Sequence, residues 1–189
     1  AAITHTGGHL QLIARAGSGK TEVVARRVAN LLDPTRSPRL TPGNIIAFTF
    51  TDKAAAELKQ RIIERVRGAY GNMQGLAEMF VGTIHAFCLD MLRSEVSEFM
   101  KYEVMNEVQQ ALLVDRQSKQ SGLTTTTDLK GRALRRYTDT DRYVQALSVL
   151  REAELDDAEL AGISVIDGLQ KYRALLNRTR CLDYSSIME

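Results

Sequence analysis

The segment that most constrains the fold is residues 14–21, Ala-Arg-Ala-Gly-Ser-Gly-Lys-Thr, which lies between a short apolar run and a helical pattern. Glycines allow backbone N–H groups to close around phosphate oxygens, the Lys20 amine can reach the outer phosphates, and the Thr21 hydroxyl can hold Mg²⁺. Ala14 stands where the strict pattern has Gly. The sequence therefore predicts a nucleoside triphosphate site whose contacts are Ala16, Gly17, Ser18, Gly19, Lys20 and Thr21.

The first half of the chain alternates strand and helix patterns, which predicts a parallel sheet with covering helices. The predicted strands are residues 10–13, 45–48 and 80–81. Residues 45–48 are apolar throughout, as in a strand that is buried on both faces. Each strand is followed by a helix, so we expect Lys20, Phe50 and Thr83 near the carboxyl ends of the strands, where ligands bind in open α/β sheets.

Two further segments, residues 48–55 and 81–88, repeat this strand, Thr and helix arrangement. Thr49 and Thr51 can bind phosphates or sugars, and the Phe50 ring can stack on a base. The alternative is that Thr51 or Asp52 caps the next helix while Phe50 belongs to the core. Thr83 is predicted to be a helix N-cap, and a lone histidine such as His85 is more often structural than functional.

From about residue 94 to residue 179 the pattern is helix after helix, which predicts a separate helical unit with its own core. The predicted core residues are Val108, Leu112, Leu147, Leu150, Leu169 and Leu176. Residues 118–127 are polar and Thr-rich, which predicts a mobile loop. A basic cluster (Lys130, Arg132, Arg135 and Arg136) precedes an acidic run at residues 152–159. Such charge runs most often form solvated helix faces, and a net charge of +2 does not by itself indicate a nucleic-acid partner.

Three segments in order, residues 14–21, 47–62 and 83–93, resemble motifs I, Ia and Ib of superfamily 1 helicases. The resemblance is to the UvrD/Rep/PcrA and RecB-like group. It implies an α/β fold, a RecA-like P-loop NTPase with a parallel sheet and an inserted all-helical subdomain. Residues 1–93 would be the first part of the ATP-binding domain 1A and residues 94–180 the insert 1B. Residues 181–189, which include the Leu-Asp-Tyr segment at 182–184, would return to domain 1A.

The resemblance also implies roles for residues. Lys20 and Thr21 would be catalytic, acting on the ATP phosphates and on Mg²⁺ that is bound through ATP. Single-stranded DNA would contact the second and third motifs, and a duplex junction would contact the helical insert. The DNA-binding residues would be Thr49, Phe50, Thr51, Thr83 and His85. ATP hydrolysis would then move the enzyme along one strand from 3′ to 5′.

This sequence departs from the family pattern at a few positions. Glu22 stands where many relatives have an Arg near the adenine, and Asp52 replaces the commoner Asn. The family's Gln motif would precede Ala2, and its acidic motif II would follow Glu189. We therefore expect this chain alone to be inactive as an ATPase.

Two other functions are compatible with the residues. A nucleotide kinase-like P-loop enzyme would use Asp52 to bind Mg²⁺, and a regulatory module would bind ATP without further chemistry. The cysteines lack the spacing of a disulfide framework, and the apolar runs are too short for a membrane span. These features predict reduced thiols, a cytoplasmic location and no membrane partner; the sequence does not predict an oligomeric state.

Overall fold

The computed structural model describes residues 1–5, 7–153 and 164–189. The chain forms two compact units, Ala1–Phe87 and Cys88–Glu189, each of which is described by itself below. Of the predicted acidic run at 152–159, residues 154–159 lie outside the described residues. The assignment of residues 1–93, 94–180 and 181–189 to helicase subdomains stays a prediction.

The first unit contains a two-stranded parallel sheet and the helices that follow its strands. Its elements are α1 (Lys20–Leu31), β1 (Ile46–Phe48), α2 (Asp52–Tyr70), β2 (Phe80–Gly82) and α3 (Ile84–Glu95), with 3-10 turns at Pro42–Asn44 and Leu76–Glu78. The boundary between the units falls within α3. In the parallel register, Ile46 pairs with Phe80 and Phe48 with Gly82. The carboxyl ends of both strands therefore meet at one edge.

The core of the first unit lies between α1, α2 and one side of the sheet. The apolar residues of α2 recur every four positions, at Leu58, Ile62 and Val66, and all three are buried. They pack with Ala25 and Val28 of α1. A stripe with this spacing covers one face of a helix, so burying it fixes how the helix is rotated about its axis. The helices predicted to follow residues 14–21 and the strand at 45–48 are confirmed as α1 and α2.

Two predictions for this unit are wrong. Residues 10–13 form no strand, because a strand needs a neighbouring ladder and none of the described strands pairs with this apolar segment. The strand at 45–48 is also not buried on both faces. Ile45 is buried and Ala47 is half-buried, but Ile46 and Phe48 are about half exposed. The pattern is that of a strand with only one covered face.

The second unit consists of helices around a core, together with a small parallel sheet. Its further elements are β3 (Glu103–Val104), α4 (Glu107–Arg116), α5 (Thr140–Glu152), α6 (Ser164–Thr179), β4 (Cys181–Leu182) and α7 (Tyr184–Met188), with 3-10 turns at Ser97–Lys101 and Leu123–Thr125. The parallel strands β3 and β4 pair Glu103 with Cys181 and Val104 with Leu182. The prediction of an all-helical insert is therefore wrong in this respect.

The core of this unit confirms some of the predicted residues and corrects others. Leu147, Leu169 and Leu176 are buried, and Leu150 packs against them. Val108 and Leu112 are exposed, because the buried face of α4 instead carries Gln110, Val114 and Asp115. A polar residue and a carboxylate on the buried face make the helix pattern difficult to interpret from hydrophobicity alone.

The predicted mobile loop at residues 118–127 is an ordered part of the core. Leu123 and Thr126 are buried in it, and Gly122 has a left-handed φ of 87°. A Cβ at Gly122 would come within 2.6 Å of the Gly168 Cα, and one at Gly168 would come within 2.5 Å of the Tyr143 hydroxyl. That hydroxyl donates a 2.7 Å hydrogen bond to the carbonyl of Ser121, and burial raises the pKa of Tyr143 to about 12. Close backbone approach through glycines, which composition alone does not show, holds this segment in place.

In the part of the chain that the structure describes, no helix is long and apolar enough to cross a bilayer.

Candidate functional site

The phosphate loop, residues 14–21, is exposed and shaped by two glycines. Gly17 and Gly19 have left-handed φ angles of 75° and 84°. A Cβ at either position would meet no atom within 4 Å, so the backbone angle alone requires glycine there. The Ser18 hydroxyl and amide both donate to the carbonyl of Arg15, at 2.6 and 3.3 Å. The loop is therefore a turn with open space around its glycines.

Helix α1 begins immediately after this loop, with Gly19 at its N-cap position and no side-chain cap. The first N–H groups of a helix lack partners within the helix, so this end is suited to bind an anion. The Lys20 amine donates to the carbonyls of Ala14 and Arg15, at 3.0 and 2.7 Å. It is thus held across the loop, where the phosphates of a nucleotide would lie. The Thr21 hydroxyl is exposed on the first turn, and these residues fit a triphosphate with bound Mg²⁺.

Glu22, the predicted departure near the adenine, forms ion pairs with two arginines. Its Oε1 lies 2.6 Å from Arg26 Nε and 2.9 Å from Arg65 Nη2. The hydrogen bonds from Arg26 and Arg65 lower the pKa of Glu22 below its ordinary value. The carboxylate therefore links α1 to α2 directly after the phosphate loop.

The second group of predicted site residues follows β1. The Thr51 hydroxyl accepts a 3.2 Å hydrogen bond from the Ala54 amide and caps α2, as one of the two interpretations predicted. The Thr49 hydroxyl donates to the Thr51 carbonyl at 3.0 Å. Phe50, between them, is 102% exposed, so it is not a core residue. The hydrogen bonds of Thr49 and Thr51 therefore fix the turn on both sides of Phe50, whose ring is exposed to solvent.

The third group follows β2 at the adjacent end of the sheet. The Thr83 hydroxyl accepts a 3.2 Å hydrogen bond from the Ala86 amide, which confirms the predicted N-cap of α3. His85 lies in the first turn of α3 and is half-buried. The Thr49 amide donates to the Gly82 carbonyl at 2.9 Å, which brings the residues after the two strands side by side.

Three phenylalanines pack behind this edge. The Phe87 ring lies 5.4 Å from Phe48 and 5.0 Å from Phe80, and all three pairs meet edge to face. Such pairs add stabilisation beyond their burial and fix the orientation of the rings. The cluster gives a rigid base to the turn that carries Phe50.

The structure brings Thr49, Phe50, Thr51, Thr83 and His85 to one edge of the β1–β2 sheet. The loop with Lys20 and Thr21 does not follow a strand of that sheet, so its expected position at the same edge stays a prediction. The ligand roles of all these residues also stay predictions.

A buried polar network in the second unit has no counterpart in the sequence-based predictions. Asp183 accepts two hydrogen bonds of 2.8 Å from Arg151, and the side chains are only 3% and 1% exposed. The same carboxylate accepts from Gln110 and Tyr172, also at 2.8 Å, and from the amide and hydroxyl of Ser186. Burial is the largest single influence on the pKa of Asp183 and raises it. The hydrogen bonds from Arg151 and Ser186, together with the charge of Arg151, outweigh burial, so the pKa lies below its ordinary value.

This network was missed because its members are distant in sequence. Gln110, Arg151, Tyr172 and Asp183 lie on or beside four different helices, and the hydrogen bonds that join them to one another span 11 to 73 residues. The only local signal is the cap of α7, in which Asp183 accepts from the Ser186 amide.

Comparison with known proteins is consistent with this geometry. The matched region is 43% identical over 96 residues to the ATP-dependent DNA helicase UvrD1 of Mycobacterium leprae, covering 51% of this chain and 11% of that protein. It is 39% identical over 95 residues to the ATP-dependent DNA helicase PcrA of Bacillus subtilis, covering 50% and 12%. It is 45% identical over 83 residues to the ATP-dependent DNA helicase SRS2 of Saccharomyces cerevisiae, covering 44% and 7%. The matches thus span about a tenth of the length of these relatives.

The model of the family described as the UvrD/REP helicase N-terminal domain matches residues 1–189. This match favours the helicase interpretation over the kinase-like one, in which Asp52 would bind Mg²⁺. The chain belongs to the UvrD/REP helicase family and corresponds to its N-terminal domain.

Proposed function

We propose that this chain is the ATP- and DNA-binding part of an ATP-dependent DNA helicase that moves from 3′ to 5′. The observation that carries the proposal is the fully exposed Phe50, held at the sheet edge between Thr49 and Thr51. Exposing a phenylalanine ring to water is unfavourable unless a partner covers it. A ring on a fixed turn, flanked by hydroxyls, is suited to stack on a base while the hydroxyls bind the strand.

ATP would bind at the phosphate loop. The backbone N–H groups of residues 16–21 would surround the phosphates, and Lys20 would exchange its two loop carbonyls for phosphate oxygens. The Thr21 hydroxyl would help to hold Mg²⁺, which would offset the charge of the phosphates. The full-length protein would couple hydrolysis at this site to movement along the strand.

Single-stranded DNA would follow the edge formed by Thr49, Phe50, Thr51, Thr83 and His85. A path across two adjacent strand ends is supported by the hydrogen bond from Thr49 to Gly82, which keeps the two turns together. A duplex junction would bind the second unit. Location in the cytoplasm, as opposed to another compartment, is part of the same proposal.

The decisive experiment measures single-stranded DNA binding by fluorescence anisotropy. Replacing Phe50 with Ala removes the ring and should weaken binding by about 1–3 kcal/mol, or roughly 5- to 150-fold. The unfolding midpoint should not change, because the exposed ring contributes no burial. Phe50→Tyr keeps a stacking ring and should bind as the parent chain does.

Met100→Ala, which removes an exposed apolar side chain from the second unit, is the matched control. A chain that binds ATP but no DNA would instead support the regulatory module. In the same preparation, Lys20→Ala should weaken ATP binding by at least about tenfold, since it removes a charge-assisted contact to phosphate. Lys119→Ala, at another exposed lysine, should have no effect on ATP binding.

A further inference from the structure

The charged residues of the second unit are distributed unevenly. The basic cluster at residues 130–136 lies in the loop before α5 and not on a helix face. One face of α5 is instead acidic and apolar, and together with α4 it lines a groove of about 610 Å³. The lining residues of α5 follow the helical repeat from Asp141 to Glu152, so they share one side of the helix.

Helices α4 and α5, which form the two walls of this groove, run antiparallel. At one end the Thr140 hydroxyl donates a 2.6 Å hydrogen bond to Asp115 of α4. At the other end Gln110 of α4 and Arg151 of α5 donate to one carboxylate, that of Asp183, each at 2.8 Å. These contacts fix the two walls relative to each other, so the groove is formed before any ligand binds.

The groove has carboxylates at both ends. Asp141 lies in the first turn of α5, and Glu152 lies about 16 Å away at the other end of that helix. Glu107, in the first turn of α4, lies at the same end as Glu152 because the helices are antiparallel. Glu152 accepts a 2.8 Å hydrogen bond from Ser185, but none of the three carboxylates forms an ion pair with a residue that the structure describes. The described residues that line the groove include no Lys or Arg.

The middle of the groove is apolar and remains in contact with water. Val149 of α5 is 60% exposed, and Val144 and Ala111 are half-buried. Val108 lies beside Ala111 on the surface of α4 and is 68% exposed. A partner that covers these side chains removes apolar surface from water, which favours association.

The charges of the groove decide what kind of partner fits it. A nucleic acid would bring phosphates against carboxylates, so the groove repels it. In a symmetric pair of two copies, Asp141 and Glu152 of one copy would face like charges of the other. A segment with positive charges at both ends and an apolar stripe between them instead complements both parts of the groove.

We propose that this acidic groove, lined by α4 and α5, binds a basic amphipathic helix of a partner protein. The apolar stripe of the partner covers Val144 and Val149. Its Lys or Arg side chains pair with Asp141 at one end of the groove and with Glu107 and Glu152 at the other. Basic residues about 11 positions apart on the partner helix match the spacing of the carboxylates along α5. This interaction needs neither ATP nor DNA.

The probe is a synthetic helical peptide of about 16 residues, with a stripe of Leu and Ala and with Lys at both ends of that stripe. One comparison peptide has the same composition in scrambled order, and another has Glu in place of each Lys. Fluorescence anisotropy of the labelled peptides measures their affinity for the chain at several salt concentrations. The chain should bind the amphipathic Lys peptide at least about tenfold more tightly than either comparison peptide.

Two variants separate docking in the groove from a general attraction to negative charge. Val149→Asp adds a carboxylate, which would strengthen a purely electrostatic attraction, but it disrupts the apolar contact and should weaken peptide binding by about tenfold or more. Asp141→Asn/Glu152→Gln keeps the shapes of the side chains and should weaken binding by about 3- to 30-fold, with a smaller dependence on salt. The matched control, Glu95→Gln/Glu98→Gln, removes two exposed carboxylates outside the groove and should leave the affinity within about twofold of the parent chain. Circular dichroism and the unfolding midpoint verify that each variant is folded.

The proposal is overturned if the scrambled peptide binds as tightly as the amphipathic Lys peptide, or if Val149→Asp leaves the affinity unchanged. It is also overturned if sedimentation shows that the chain dimerises and that Val149→Asp makes it monomeric, because the groove would then join two copies of this chain. Absence of binding by the amphipathic Lys peptide overturns it too, whether or not the chain binds DNA through Phe50. The outcome is therefore separate from that of the proposed function.

Discussion

The phosphate loop of the first unit and the Asp183 network of the second unit both gather polar groups from the chain, but they differ in how those groups are satisfied. In the network each oxygen of one buried carboxylate accepts hydrogen bonds from side chains or backbone of the same unit. In the phosphate loop an exposed lysine spans two carbonyls, and a helix begins without a side-chain cap. The network has little capacity for an added ligand, whereas the loop retains it.

The contrast separates structural from functional polar clusters. A buried charge that loses its partner is costly, so such a network stabilises one conformation and tolerates little change. An exposed cluster adds little to stability and can exchange its internal contacts for those of a ligand. Stability and ligand affinity should therefore respond to different substitutions.

The largest effect is expected on breaking the network. Asp183→Ala leaves Arg151 buried without its partner and should lower the free energy of unfolding by about 3–5 kcal/mol. Lys20→Ala should change it by less than about 0.5 kcal/mol, as is usual at exposed positions. Chemical denaturation measures both, with the exposed Asp141→Ala as a control for loss of a carboxylate. A loss below about 1 kcal/mol for Asp183→Ala would show that the buried network does not hold the fold together.

A smaller effect should follow from protonating the same carboxylate, since the neutral acid keeps its shape and part of its hydrogen bonding. The pKa of Asp183 is lower in the folded chain than its ordinary 3.8. Its contribution to stability is therefore present above that value and lost as the pH falls through the native pKa. Unfolding free energies measured from about pH 5 down to about pH 2 should fall more steeply for the parent chain than for Asp183→Asn. Parallel curves would show that Asp183 does not titrate in this range.

A substitution in the phosphate loop should instead lower the affinity for nucleotide. Gly19→Ala places a Cβ at a φ of 84°, which costs about 1–2 kcal/mol in the loop conformation. Nucleotide affinity, measured by titration calorimetry, should fall by roughly 5- to 30-fold.

Gly68→Ala provides the matched comparison, because Gly68 lies in α2 with open space around it and no left-handed φ. That substitution should raise stability by about 0.5–1 kcal/mol and leave nucleotide affinity unchanged. If Gly19→Ala bound nucleotide as the parent chain does, the left-handed geometry would not be required for the site.

The smallest effect is expected for Glu22→Gln. Its arginine partners are about half exposed, and pairs of this kind are screened by solvent and salt. The thermal unfolding midpoint should shift slightly at low salt and not at high salt, whereas Glu57→Gln, an exposed residue on α2, should show no shift at either. A large shift that persists at high salt would place Glu22 among the structural residues, with Asp183.

The features that could be predicted from the sequence are those with local causes. Four-residue apolar spacing gives the buried face of α2, and the hydroxyls of Thr51 and Thr83 cap the helices they precede. The glycines at 17 and 19 mark a left-handed turn because few other residues adopt that backbone. The family resemblance followed from the same segments and is confirmed along the whole chain.

The features that the sequence did not reveal depend on partners that are distant along the chain. Residues 10–13 are apolar but pair with no described strand, whereas β3 and β4 are two residues long and pair with each other. Whether Phe50 was a core residue or an exposed ring could not be decided without knowing what surrounds it. The left-handed Tyr137 lies in a loop and depends on the buried Asp115 of α4, and no local pattern indicates such a contact.

The pairing of β3 with β4 also limits when the second unit can fold during its synthesis. Its two strands come from near the beginning and the end of that unit, so the ladder has high contact order. A ribosome that adds about 5–20 residues per second releases Glu103 and Val104 several seconds before Cys181 and Leu182. During that interval Tyr102 and Val104 lack the cover of Leu182 and Ile187. Translation that stops before position 181 therefore leaves an unpaired strand and an open apolar surface, which quality-control chaperones and proteases recognise.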